Sequence, residues 1–174
     1  MNATMLELRW EPLSGDLSPM AALKASGELR HLLQGWRGTR YAAGQSVRGV
    51  ATSCIGFVGS IVRELAAIDF ATKAEIPTDT AFHSPVRARS EMRRILRAFG
   101  AELEVVEGDT VQPADIVVTG PSRGGPAHLL VVGWRRNTLW EVGSHCVIER
   151  GWTISGRVVR VFRLRDRTRF GGGA

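Results

Sequence analysis

One cysteine stands where chemistry is possible. In "VRGVATSCIGFVGSIVREL", residues 47–65, Cys54 follows Thr52 and Ser53 and opens a run with helical spacing. Ser53 is a favoured N-cap residue, and Thr52 is nearly as good. A cysteine in the first turn of such a helix has its thiolate stabilised by the helix dipole. The unpaired N–H groups of the same turn can hold an oxyanion during acyl transfer. The competing reading is a small core residue, because unpaired cysteines are often buried.

A thiolate nucleophile needs a base, and the chain offers four histidines. His31 lies within an apolar-striped helix, where a surface or packing role suffices. His83 sits in a loop without an evident partner. His128 begins the segment "HLLVVGW" after the Gly- and Pro-rich "GPSRGGPA". A histidine at the mouth of a sheet can face the N-terminus of a helix packed on that sheet. His145 ends the next strand-like segment.

Strand parity adds a third group. His128, Leu130, Val132 and Trp134 share one face. Reading "RRNT" as the turn pairs Trp134 with Leu139, Val132 with Glu141 and His128 with His145. Glu141 and His145 then both lie on the His128 face, and either can orient the imidazole. A register slip of one residue would reverse the facing.

The elements that must position these groups follow in order. "MLELRWE" alternates as a short strand, and "LSPMAALKASGELRHLLQGWRG" reads as a helix with Leu23, Leu29, Leu32, Leu33 and Trp36 on its apolar face. "GTRYAAGQSVRG" is Gly-rich and reads as a loop. "SPVRARSEMRRILRAFG" reads as a further helix, capped by Ser84, with Pro85 in its first turn and Gly100 at its end. "AELEVVE", "ADIVVTG", "AHLLVVGW", "TLWEVG" and "GRVVRVFRL" read as strands joined by short turns. Helices followed by strands predict an α+β domain with helices packed on an antiparallel sheet. Residues 1–174 read as one domain, with 1–16 an N-terminal strand extension and 166–174 a basic, Gly-rich tail.

Composition bounds the rest. The chain has 174 residues, 44% of them hydrophobic, which is globular rather than disordered. No apolar run is long enough for a membrane helix, so no membrane insertion is expected. "MNATMLELRWEP" lacks a basic region followed by an apolar block, so no secretory signal is read. Two cysteines make no disulfide framework and show no paired zinc spacing, although a Cys54–Cys146 bridge would silence the nucleophile. The net charge of +6 favours anionic partners such as nucleic acid, acidic lipid or a carboxylate-rich polymer. Arg163, Arg165, Arg167 and Arg169 recur every second residue and read as a solvated edge strand. Nucleic-acid binding is disfavoured, because the interleaved aromatics of a single-strand binder are missing.

The order of these pieces resembles the NlpC-type cell-wall cysteine peptidases, a papain-like family. "GELRHLLQGWRGTRYAAG" is similar to the family's leading helix and Gly-Thr-Pro-Tyr segment, with Arg40 at the proline. "GVATSCIGFVGSIVREL" is similar to its nucleophile helix, with Ser53 where the family has aspartate. "VQPADIVVTG" is similar to its Pro-Gly-Asp strand, with Ala114 at the glycine, and "AHLLVVGWRRNTLWEV" to its histidine hairpin. The resemblance spans roughly residues 26–163. It implies a papain-like fold, Cys54 as nucleophile, His128 as general base, and Glu141 as the third polar residue, with His145 as its rival. It also implies Tyr41 at the oxyanion site, with Ser53 beside it, and a structural role for Asp115. No metal or cofactor is called for.

The implied substrates are peptidoglycan stem peptides. A compact chain of this kind also resembles the peptidases of phage tails and gene transfer agents. That implies tail-tip or baseplate partners: a virion component made in the cytoplasm and acting in the periplasm, against a cytoplasmic amide hydrolase otherwise. A non-catalytic tail or baseplate protein is the alternative, with the N-terminal strand docking on a neighbour's sheet edge.

Overall fold

The computed structural model describes residues 8–13, 19–66, 103–120, 128–152, 154 and 157–165. The helix expected over 84–100, with Ser84, Pro85 and Gly100, lies outside the described residues, as do His83, the loop 121–127 and the tail 166–174.

The chain is α+β and mostly strand, with two helices among the described residues. Strand β1 (Arg9–Trp10) precedes helix α1 (Pro19–Trp36). Three two-residue strands follow, β2 (Arg40–Tyr41), β3 (Ser46–Val47) and β4 (Ala51–Thr52), and then helix α2 (Cys54–Ala66). Next come β5 (Leu103–Val105), β6 (Thr110–Val111), β7 (Ile116–Gly120), β8 (His128–Val132), β9 (Thr138–Val142), β10 (Val147–Gly151) and β11 (Arg157–Leu164). Six of these form one antiparallel sheet in the order β10-β9-β8-β7-β11-β5.

Helix α1 forms where its apolar residues recur at helical spacing, and Ala25, Leu29, Leu32, Leu33 and Trp36 are buried. His31 is on its exposed side. The helix ends at Trp36, and Gly38 just beyond it takes a left-handed φ of 76°. Beyond it Gly38 N–H donates to Val147 O at 3.0 Å and Val147 N–H to Thr39 O at 2.9 Å, tying the helix exit to β10. Helix α2 sends Phe57, Val58, Ile61 and Val62 into the core with Leu129, Val131 and Trp140 of the sheet. Trp36 meets Phe57 edge to face at 5.7 Å, which locks α1 to α2. The other sheet face carries Val117, Leu130, Val132, Leu139 and Val161, joined by Leu8, Val111 and the partly buried Trp10.

Four expectations change. The N-terminal strand pairs parallel with β6 of its own chain, and Arg9 binds Asp109 at 3.0 Å, so it covers this chain's second core. The Gly-rich "GTRYAAGQSVRG" is not simply a loop: β4 pairs with both β2 and β3 in a small sheet. Strand β11 is not an edge strand, because it lies between β7 and β5. Nor is Arg163 merely solvated. It binds the fully buried Asp115, with Nε to Oδ1 at 3.0 Å and Nη2 to Oδ2 at 2.7 Å. The same carboxylate accepts the Gln112 N–H at 2.8 Å. Asp115 thus has the structural role expected of it. Ala114 beside it has a φ of 71°, a left-handed conformation normally left to glycine.

The β8–β9 register also differs. The pairs are Val132 with Leu139, Val131 with Trp140 and Leu130 with Glu141. Trp134–Leu139, Val132–Glu141 and His128–His145 are therefore not partners. The turn is Trp134–Asn137 rather than "RRNT", because Gly133 N–H still bonds to Thr138 O at 2.9 Å and Asn137 takes the left-handed φ of 58° that closes it. The shift is two residues, so facing is preserved: Glu141 stays on the His128 side.

Candidate active site

Cys54 is the first residue of α2, and Ser53 is its cap. The Ser53 hydroxyl oxygen accepts the Gly56 N–H at 3.1 Å, and the Ser53 carbonyl accepts the Phe57 N–H at 2.8 Å. Ser53's own N–H donates to Gln45 O at 3.0 Å. Ser53 is therefore buried structural support for the helix start. Cys54 and Ile55, in the first two helical positions, have no intrahelical acceptor for their N–H groups.

The β3–β4 hairpin fixes this helix end. The Ser46 hydroxyl donates to Gly56 O at 2.9 Å and lies 2.7 Å from the Ser60 hydroxyl. Gly56 permits the approach. A Cβ there would lie 2.9 Å from Ser46 Cβ and 3.0 Å from Thr52 Oγ1, and closer still to the Gln45 carbonyl oxygen.

The other groups come from the rim of the sheet where α2 begins. His128 opens β8, and Glu141 lies near the end of the antiparallel β9, so both reach the same rim. His128 Nε2 is 2.9 Å from Glu141 Oε2. With Nε2 so engaged, Nδ1 is the ring nitrogen left for Cys54, whose interaction with the imidazole favours its charged form. Burial works against a charged imidazole. Interaction with Cys54, and the hydrogen bond and charge of Glu141, outweigh it and push the pKa of His128 up to about 9. Burial likewise opposes ionisation of Glu141, but the His128 hydrogen bond and the charge of Arg150 hold its carboxyl below the usual range. The structure thus brings together Cys54, His128 and Glu141.

His145 is placed differently. It is exposed in the turn between β9 and β10, and its carbonyl accepts the Tyr41 N–H at 2.7 Å. That bond sets β2 beside the site. Tyr41 pairs with Thr52, two residues before Cys54, and its side chain is half exposed at 50%. Both Cys54 and Cys146 are free thiols, so the possible bridge between them is not formed.

Arg150 is the site residue that sequence reasoning missed. Its Nη2 donates to Glu141 Oε2 at 3.3 Å, and its Nε lies 2.6 Å from Oε1. "VIERG" carries no clear strand pattern in the sequence; in the structure Ile148 lies opposite Glu141, and Arg150, two residues on, shares its face.

Among the described residues no three His, Cys, Asp or Glu side chains gather as a metal site requires, and no helix is long and apolar enough to cross a membrane. What the arrangement can do is acyl transfer. A cysteine at a capped helix start has beside it N–H donors without intrahelical acceptors, and an oriented, protonatable imidazole within reach. No family profile matches the chain, and no curated protein sequence matches it.

Proposed function

We propose that the chain is a papain-like, NlpC-type cysteine peptidase that hydrolyses amide bonds of peptidoglycan stem peptides, working as a tail-tip component of a phage-like particle. The observation that carries the catalytic part is the His128 imidazole, held by Glu141 at 2.9 Å and interacting with Cys54 strongly enough to raise its pKa. Buried cysteines and strand carboxylates are common singly. Their convergence on one histidine from α2, β8 and β9 is what catalysis requires.

The Cys54 thiolate attacks the amide carbonyl carbon, and the carbonyl electrons move to oxygen. The N–H groups of the first α2 turn receive that oxyanion, with Tyr41 beside them. Imidazolium His128, whose pKa of about 9 keeps it protonated at neutral pH, gives its proton to the amine nitrogen as the C–N bond breaks. Water then attacks the thioester carbon while His128 takes its proton, and Cys54 leaves. Glu141 accepts the ring N–H throughout and keeps the imidazole in plane.

The substrate class rests on the resemblance and on the net charge of +6, which suits carboxylate-bearing stem peptides. The test is digestion of purified muropeptides, with cleaved amides read by mass spectrometry. The alternative, a non-catalytic tail protein, keeps Ser53 in place of the family's aspartate as its motive, whereas Arg9 and Trp10 of the N-terminal strand pair within their own chain.

A further inference from the structure

We infer that Arg150 is a positioning residue for the proposed triad, holding the Glu141 carboxylate ionised and aimed at His128. This rests on the reading of the site given above. Glutamate is a demanding third residue: its side chain is long and costs rotamer entropy to fix, and once protonated it no longer serves as a pure acceptor for an imidazolium. Arg150 meets both difficulties. Its guanidinium reaches both oxygens of Glu141, with Nη2 to Oε2 at 3.3 Å and Nε 2.6 Å from Oε1. The Nε–H is not aligned for a hydrogen bond, so that contact is an ionic one.

Oε2 also takes the His128 Nε2 at 2.9 Å, so one oxygen is shared between the arginine and the imidazole. The Glu141 side chain is 12% exposed and that of Arg150 is 24% exposed, which distinguishes the pair from a solvated surface bridge.

The sheet builds this contact without a loop. Ile148 stands opposite Glu141, and Arg150 is two residues further along β10, a diagonal neighbour on the same face. Among the described residues, the charged groups facing Glu141 are His128 from β8 and Arg150 from β10, with Cys54 of α2 acting through His128. His145 in the adjoining turn is turned to solvent.

The test uses the full chain and needs no substrate. The rate at which iodoacetamide alkylates Cys54 is followed against pH, and mass spectrometry of the Cys54 peptide separates it from Cys146. In Arg150→Met the acid limb of the profile moves to higher pH, and alkylation at pH 5 slows by roughly tenfold, the usual worth of a supporting contact. Arg150→Lys keeps most of the wild-type rate. Adding Arg150→Met to Glu141→Gln slows the reaction no further, because the arginine acts only through the carboxylate. Arg150→Gln is the second variant should the methionine variant not fold, with the same shift expected. An unmoved acid limb in either folded variant overturns the proposal, as does a loss in the double variant equal to the product of the single losses. A chain whose limb shifts but which cleaves no muropeptide leaves the role of Arg150 standing and sinks the peptidase reading instead.

Discussion

Replacing Gly56 with alanine separates the site's architecture from ordinary helix propensity. In an exposed helix, Gly→Ala stabilises by up to about 1 kcal/mol. Gly27 of α1 is such a place, with nothing within 4 Å of an added Cβ. Gly56 is the opposite. Its Cβ would press on the Gln45 carbonyl oxygen and lie 2.9 Å from Ser46 Cβ. Neither neighbour yields easily. Gln45 O accepts the Ser53 N–H at 3.0 Å, and the Ser46 hydroxyl is bonded to Gly56 O at 2.9 Å.

Relief therefore requires a backbone shift on the order of 1 Å, and overpacking of this kind costs about 1–3 kcal/mol. Net of the propensity gain, Gly56→Ala loses up to about 2 kcal/mol, a fall in Tm of up to about 8 °C for a chain of this size. Gly27→Ala gains about 0.5–1 kcal/mol. The same displacement moves Cys54 against His128, and a misplacement of about 1 Å can cost a hundredfold in rate. Urea denaturation of the two variants, with the Cys54 alkylation rate, reads all three quantities. A Gly56→Ala protein as stable and as reactive as wild type refutes the claim that the hairpin clamps the nucleophile helix.

Three further outcomes are expected. The pKa of His128 is raised from 6.5 to about 9, so the stability it contributes is complete below pH 6.5 and is lost as pH rises through about 9. With the ring 34% exposed, solvent screening reduces that contribution to about 1 kcal/mol. Urea midpoints at pH 6 and pH 10 should converge in His128→Gln relative to wild type, and an equal pH dependence in both contradicts the pairing. Arg163→Met strips the buried Asp115 of its guanidinium and costs about 3 kcal/mol by denaturation, whereas Arg160→Met, on an exposed side chain of the same strand, stays within about 0.5 kcal/mol. Equal effects would show that β11 behaves as the solvated strand its sequence suggests. Glu141→Gln keeps the shape but removes the charge, and should lower the His128 titration seen by NMR, while His145→Gln should leave it in place.

What the sequence revealed follows from which signals are local. Helix α2 and its Ser53 cap were legible because cap, first turn and apolar stripe are consecutive. The facing of Glu141 toward His128 survived a wrong register, since the error was two residues and a strand repeats every two. Long-range pairing was not legible. Arg163 and Asp115 are 48 residues apart, and an alternating arginine run looks the same on an edge strand as beside a buried carboxylate. The strands β2, β3 and β4 have two residues each, too short for a periodic pattern. Strand β10 mixes apolar and charged residues, which hid Arg150.

The activity proposed for Cys54 is cleavage of peptide amides in cell-wall fragments. It is tested most directly by incubating purified wild type and Cys54→Ala with defined muropeptides and counting new amine termini by mass spectrometry. Wild type should cleave a single amide class, and the folded Cys54→Ala protein none. Equal product from both proteins, or none from wild type while Cys54 remains reactive to iodoacetamide, would contradict it.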